Sequence, residues 1–263
     1  MSEDAVRLSA LLLTEDGGVS ADETLRVFMV KLLGHLAPGA VTRDDTRWWE
    51  PASVEARDVV RADGWKDPRR VDRVRFLQYV AAKLRQTHGF VFFHVDGDRV
   101  YRRRAESENL HKFEALIRAG VRTILKAPPA RRRGRRRSSV EEVDAEQLLA
   151  KLVLLMPFYS IEAWLFQNTE VATRLCPGPP RCRRGCAKKL ARWRLDRGAL
   201  DEISKPKEEL CFGARHNVAL AGAGFPLDEI LRANKSLRDA VEDLEACASL
   251  VRTLEQMMPS WQR

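Results

Sequence analysis

The chain has 263 residues, 44% hydrophobic and 32% charged, enough apolar material to bury a substantial core in one large α/β domain or two small ones. No apolar run reaches the roughly 18 residues of a membrane span. The opening MSEDAVRL is acidic, unlike a signal peptide, so a cytoplasmic protein with no membrane partner is expected. The net charge is +9, of which six clustered arginines carry all but +3, and that excess suits a polyanionic partner.

Residues 6–14, VRLSALLLT, form an apolar run that predicts a buried strand. The turn EDGGVSADE follows, and from about Asp22 the spacing of Leu25, Phe28, Met29, Leu32, Leu33 and Leu36 predicts a helix ended by Pro38 and Gly39. Residues 40–70 show no clean period and read as loop with short elements. Residues 70–87 predict a second amphipathic helix, 89–98 (GFVFFHVDGD) a strand ending in acids, 106–119 a third helix and 121–127 (VRTILKA) a further strand. PPARRRGRRRSS, 128–139, reads as an arginine-rich loop. A short helix at about 144–150, a strand at 152–157, a helix over 160–168 with Ser160 as N-cap, a Cys/Arg-rich inserted segment over 176–200 and helices over 227–258, broken near Asn234, complete the chain. Strands alternating with helices predict a single α/β domain, Rossmann-like, with a mainly parallel sheet. Ligands of such sheets bind beyond the carboxyl ends of the strands, where both Glu15-Asp16 and Asp96-Gly97-Asp98 fall.

Asp96 and Asp98 would project to one face if the strand stayed regular, and Gly97 permits a turn and close approach of a ligand. Hard carboxylate oxygens suit Mg2+ or Mn2+, and magnesium needs only one or two carboxylates beside water and phosphate oxygens. Taken alone, Asp-Gly-Asp is ordinary turn chemistry and Glu15 an ordinary acid before a helix. Their shared position at strand ends raises both above that reading.

The pattern LLLTEDGG, helix, FVFFHVDGD resembles the TOPRIM domain of topoisomerases, DnaG-type primases and OLD-family nucleases. MPFYSIEAWLFQN, 156–168, resembles the IEAWL signature of the TOPRIM-like DUF4276 group found among bacterial and phage-defence genes, and SLRDAVEDLEA, 236–246, its C-terminal helix. The resemblance implies a TOPRIM-like fold and a catalytic metal held by Glu15, Asp96, Asp98 and Glu162. It implies a nuclease or, alternatively, a non-catalytic binding module, with a partner ATPase or other defence-system subunit as possible company. Asp16 is interposed where the family usually has Glu-Gly. No topoisomerase or helicase module accompanies the motifs, so neither topoisomerase nor primase activity follows.

Phosphodiester cleavage also needs cations for the charge developing on phosphoryl oxygens. By resemblance to OLD-like nucleases, Lys205 and Lys207 are candidates. Arg99 and Arg102, close after the acids, and the tract Arg131, Arg132, Arg133, Arg135, Arg136 and Arg137 are candidate nucleic-acid contacts with salt-dependent, sequence-independent affinity. Trp48, Trp49 and Trp193 could stack on bases, with burial in the core the expected role of at least two. His216 could serve as general acid or base, though a lone His is more often structural, and His94 is expected to face a layer flanking the sheet. The glycine turn lacks a Walker Lys-Ser/Thr and is not GxGxxG, so nucleotide use has no support.

Five cysteines without a secretion pattern argue against a disulfide framework. Cys176, Cys182 and Cys186, with Cys211 or His216 as a fourth ligand, admit a zinc site. The set lacks a CxxC pair, and free thiols are the preferred reading.

Overall fold

Leu8, Ala10 and Leu12 are buried in one hydrophobic core, and Leu11 and Leu13 in another, on the opposite face of the same strand. Such two-sided burial is what a continuous apolar run supports in a central parallel strand. The computed structural model describes residues 6–258 apart from 19, 43–47, 62, 128–143, 179, 183, 212 and 223; the arginine tract of 131–137 lies outside the described residues.

In chain order the elements are β1 (Ser9–Thr14), α1 (Ala21–Leu36), β2 (Trp49–Glu50), α2 (Val54–Arg61), α3 (Val71–Leu84) and β3 (Gly89–His94). There follow α4 (Glu108–Lys112), a π-helical stretch Phe113–Arg118, α5 (Ala119–Lys126), α6 (Ala145–Leu149) and β4 (Leu152–Leu155). The remainder is helical: α7 (Glu162–Leu165), α8 (Thr169–Leu175), α9 (Cys186–Leu195), α10 (Asn217–Ala221), α11 (Leu227–Ala233), α12 (Lys235–Ala246) and α13 (Ala248–Met257), with short 3-10 turns between.

The four strands form one parallel sheet in the order β2-β1-β3-β4. The fold is therefore α/β, as the alternating pattern predicts. Thr14 pairs with His94 and His94 with Leu155, so β1, β3 and β4 end in line and their following loops leave from one edge. The chain runs from β1 to β2 on one side, then returns past β1 to β3 on the other. The crevice between the ends of β1 and β3 is thus the switch point at which open α/β sheets bind ligands. Helix α1 and the helices from α7 onward cover one face; α2, α3, α5 and α6 cover the other.

Several expectations are corrected. Residues 121–127 are not a strand but the end of the helical run begun at Glu108: Val121 and Leu125, four apart, are both buried on one helix face. Gly120 continues it, since a Cβ there would stand 2.7 Å from Leu77 Cδ1 of α3. The strand expected over 89–98 stops at His94, so Asp96 and Asp98 lie in a loop and no strand pleat orients them. Ser160 does not cap α7; its hydroxyl donates to Glu162 Oε2. The stretch 40–70 holds the edge strand β2 and two-turn α2, whose Ala56, Val59 and Val60 are buried. The polar break at Asn234 is a cap: its side-chain oxygen accepts the Leu237 N–H at the start of α12. Trp48 and Trp193 are buried core residues, Trp193 stacking on Phe166.

Candidate functional site

Glu15 follows β1 directly, with its N–H donating to His94 O of β3. Its Oε1 accepts the backbone N–H of Asp96, and its Oε2 lies 3.6 Å from Lys66 Nζ. The first acid is therefore tied across the crevice to the loop bearing the other two. Asp96 Oδ1 accepts the Ile161 N–H at 3.0 Å, joining that loop to the start of α7. Asn109 Nδ2 donates to Asp96 O at 2.7 Å and to Asp98 Oδ2 at 3.1 Å.

Gly97 is required by packing. It donates its N–H to Pro157 O at 2.9 Å, and a Cβ on it would meet the Phe158 ring at 2.8 Å. Asp98, N–H to Tyr159 O, has a left-handed φ of 52°. The β3 loop is thus held against the β4 loop by consecutive backbone bonds, which re-aims the two carboxylates more sharply than a strand would.

Glu162 is buried, 2% exposed. Ser160 Oγ donates to its Oε2 at 2.7 Å and Asn217 Nδ2 to its Oε1 at 3.1 Å. Lys207 Nζ lies 3.6 Å from Glu162 Oε2 and 4.0 Å from Asp16 Oδ1. Of the two candidate lysines only Lys207 reaches these acids; Lys205 pairs with Glu208 one residue beyond it. Arg99 donates to Asp98 O, Arg102 pairs with Glu202, and Arg215 Nε approaches His216 Nε2 at 3.2 Å.

The electrostatics follow from crowding in a low-dielectric crevice. Burial raises the Glu15 carboxyl to about 7, with Asp98 and Asp63 adding to the rise and the Asp96 N–H and Lys66 opposing it. Asp96 is raised well above the carboxylate range by burial, then by Asp16, Glu15 and Glu162. His94 is fully buried; burial pushes it down to about 4, so it is neutral. Its Nδ1 lies 2.9 Å from Thr14 Oγ1, while Nε2 has no hydrogen-bond partner and sits 3.7 Å from Asp96 Oδ1. Burial opposes the Lys207 charge, but Glu162, Asp96 and Asp16 together hold its ammonium above the ordinary lysine value.

The site thus gathers Glu15, Asp96, Asp98 and Glu162 with Lys207. It adds Asp16, Lys66, His94, Asn109, Ser160 and Asn217, which sequence reasoning left outside it. Asp16 carried a signal, being an acid beside Glu15 at a strand end; Lys66 and Asn217 carried none, because distant loops bring them in. Five carboxylates face two lysines, Lys66 and Lys207, and Lys66 is shared with Asp63 at 2.8 Å. That excess of buried negative charge, with protein donors occupying only part of each carboxylate, is a donor set that fits a hard divalent cation. A second group also converges: the ligand atoms of Cys176, Cys182, Cys186 and Cys211 all lie within 4.8 Å of one another.

No family model, no curated protein and no solved structure matches this chain. Among the described residues no helix is long and apolar enough to cross a membrane.

Proposed function

We propose that the chain is a divalent-metal-dependent nuclease of the TOPRIM type, acting in a prokaryotic anti-phage defence or mobile-element system. The observation that supports this most is the crevice between β1 and β3, where buried Asp96 and Glu15 are driven toward protonation for want of a compensating cation. Glu15, Asp96, Asp98 and Glu162 would hold Mg2+ or Mn2+. The ion supplies Lewis acidity toward a phosphoryl oxygen and makes water a stronger acid at neutral pH. The protein does the rest. The Ile161 N–H and Asn109 fix the acid-bearing loop, and neutral His94 backs Asp96 without adding charge. Lys207, 52% exposed, is accessible and cationic beside the acids, so it can neutralise charge growing on a phosphoryl oxygen. Arg99, Arg102 and the tract of 131–137 would hold the nucleic-acid backbone without reading sequence. The motif resemblance of Glu15, Asp96-Gly97-Asp98 and Glu162 points the same way.

The test is incubation with Mn2+ of plasmid, single-stranded DNA and total tRNA, beside Glu15→Ala, Asp98→Ala and an EDTA control. Cleavage of one substrate class by the wild type, absent from the variants and in EDTA, is expected; cleavage retained in both variants sinks the reading.

One observation favours a second reading. The Asp96 and Ile161 N–H groups are satisfied by Glu15 and Asp96, so these carboxylates also brace loops. A non-catalytic module binding nucleic acid or a partner protein, such as an ATPase subunit, would need no more. Calorimetry separates the two: no heat with Mg2+ or Mn2+, together with a nucleic-acid gel shift persisting in EDTA, selects the module.

A further inference from the structure

We infer that Cys176, Cys182, Cys186 and Cys211 form a structural zinc site that staples the segment carrying Lys207 to helix α9. The four sulfurs lie within 4.8 Å of one another, and Cys176 Sγ to Cys211 Sγ is 3.6 Å. A tetrahedral zinc with Zn–S of about 2.3 Å sets its sulfurs about 3.8 Å apart. Four mutually close sulfurs describe a tetrahedron around one ion rather than two disulfide pairs, and they leave no room for a multi-iron cluster. A hard magnesium ion is excluded by ligand type, and soft thiolates select zinc.

The backbone is shaped for this. Cys176 ends α8 and Cys186 begins α9. Gly178 and Gly185, both at left-handed φ (68° and 61°), turn the loop between them so that its cysteines face inward. The Cys182 N–H donates to Gly178 O at 2.8 Å. Cys211 arrives from a separate segment, and its N–H donates to Cys186 Sγ at 3.2 Å, a contact that stabilises thiolate charge. Two cations of the same region bind that segment: Arg184 donates to the carbonyls of Lys207, Glu208 and Leu210, and Lys189 to that of Glu209. They also offset the double negative charge of a zinc tetrathiolate. Lys207 lies four residues before Cys211, so the ion would fix the approach of that ammonium to Glu162. The zinc site is independent of whether the acidic crevice cleaves nucleic acid.

The test uses the full chain expressed in zinc-supplemented medium and dialysed. One zinc per chain by elemental analysis is expected, released by an organomercurial thiol reagent. Cobalt replacement should give the intense visible absorption of tetrahedral thiolate ligation. Cys182→Ser and Cys211→Ser should lose the ion, while Cys247→Ser, outside the cluster, and Asp96→Asn, in the acidic crevice, should keep it. Zinc-free wild type with all four thiols freely reactive overturns the site, as does a disulfide, stoichiometric iron, or zinc lost in Asp96→Asn but kept in Cys211→Ser. The wild-type metal content and cobalt spectrum decide the matter even if the cysteine variants do not fold.

Discussion

The Glu15 side chain accepts the backbone N–H of Asp96, eighty-one positions later in the chain. Parallel pairing makes this possible: Thr14 and His94 are register partners, so residues just past β1 and β3 emerge side by side. Asp96 in turn reaches the Ile161 N–H beyond β4. Three successive strand ends are therefore laced by carboxylates, and the same atoms that hold the loops together concentrate negative charge.

That concentration should cost stability when no cation is bound. Asp96→Asn removes one buried charge while keeping an oxygen for the Ile161 N–H. In EDTA near pH 8 the variant should melt higher than wild type by about 2–6 °C, the equivalent of about 1–2 kcal/mol for a domain of this size. It should also lose the melting-point gain that Mn2+ gives wild type. Differential scanning calorimetry of both proteins, with and without Mn2+, measures it; a lower melting point in EDTA would mean that Asp96 is tolerated as an anion.

The pH dependence has a definite sign. Glu15 has a folded-state value of about 7 against an ordinary 4.5, so the folded state binds its proton more tightly than the unfolded state. Its contribution to stability is fully present below about 4.5 and is lost as pH rises through about 7. A divalent cation takes the place of that proton. The metal-induced rise in melting temperature should therefore be small at pH 5.5 and grow toward pH 8; a rise independent of pH across this range would contradict it.

Gly97→Ala tests the loop itself. The added methyl would stand 2.8 Å from Phe158 Cδ1 and 3.1 Å from Pro157 O, and Phe158 packs edge-on against Tyr101 at 5.7 Å. Moving the ring or the loop should destabilise by about 1–3 kcal/mol. Phe158→Leu should relieve part of that loss in the double variant, a coupling that denaturant melts of the four proteins in the cycle would read.

What the sequence revealed follows from which interactions are local. The strands at 9–14, 89–94 and 152–155 were legible because two-sided burial writes a continuous apolar run. Parallel topology then put Glu15 and Asp96 together without further information. Residues 121–127 misled, since Val121, Ile124 and Leu125 suit a strand as well as a helix, and only the packing of α5 on α3 decides. Lys66, Asn109 and Asn217 gave no sign: each is an ordinary polar residue of its own segment, brought in by tertiary contacts. The cysteines were visible, but their spacing lacked the usual short pair, because Cys211 joins from another segment.

Lys207 distinguishes a working centre from a merely braced one. Its side chain is half exposed, so its ion pairs with Glu162 and Asp16 should contribute on the order of 1 kcal/mol or less to stability. A cation poised for a transition state has far more influence on rate: removing one such group typically costs about a hundredfold to a thousandfold in kcat. Lys207→Met should therefore cut cleavage by that factor while shifting the melting temperature by only a few degrees. Lys205→Met, whose partner is Glu208, should leave cleavage within about twofold. Single-turnover cleavage with Mn2+ and a thermal melt of each variant give both readouts. Equal small losses in the two variants would reduce Lys207 to a surface charge; a large loss confined to Lys207→Met, with its fold intact, would mark it as the group that meets the phosphoryl oxygens.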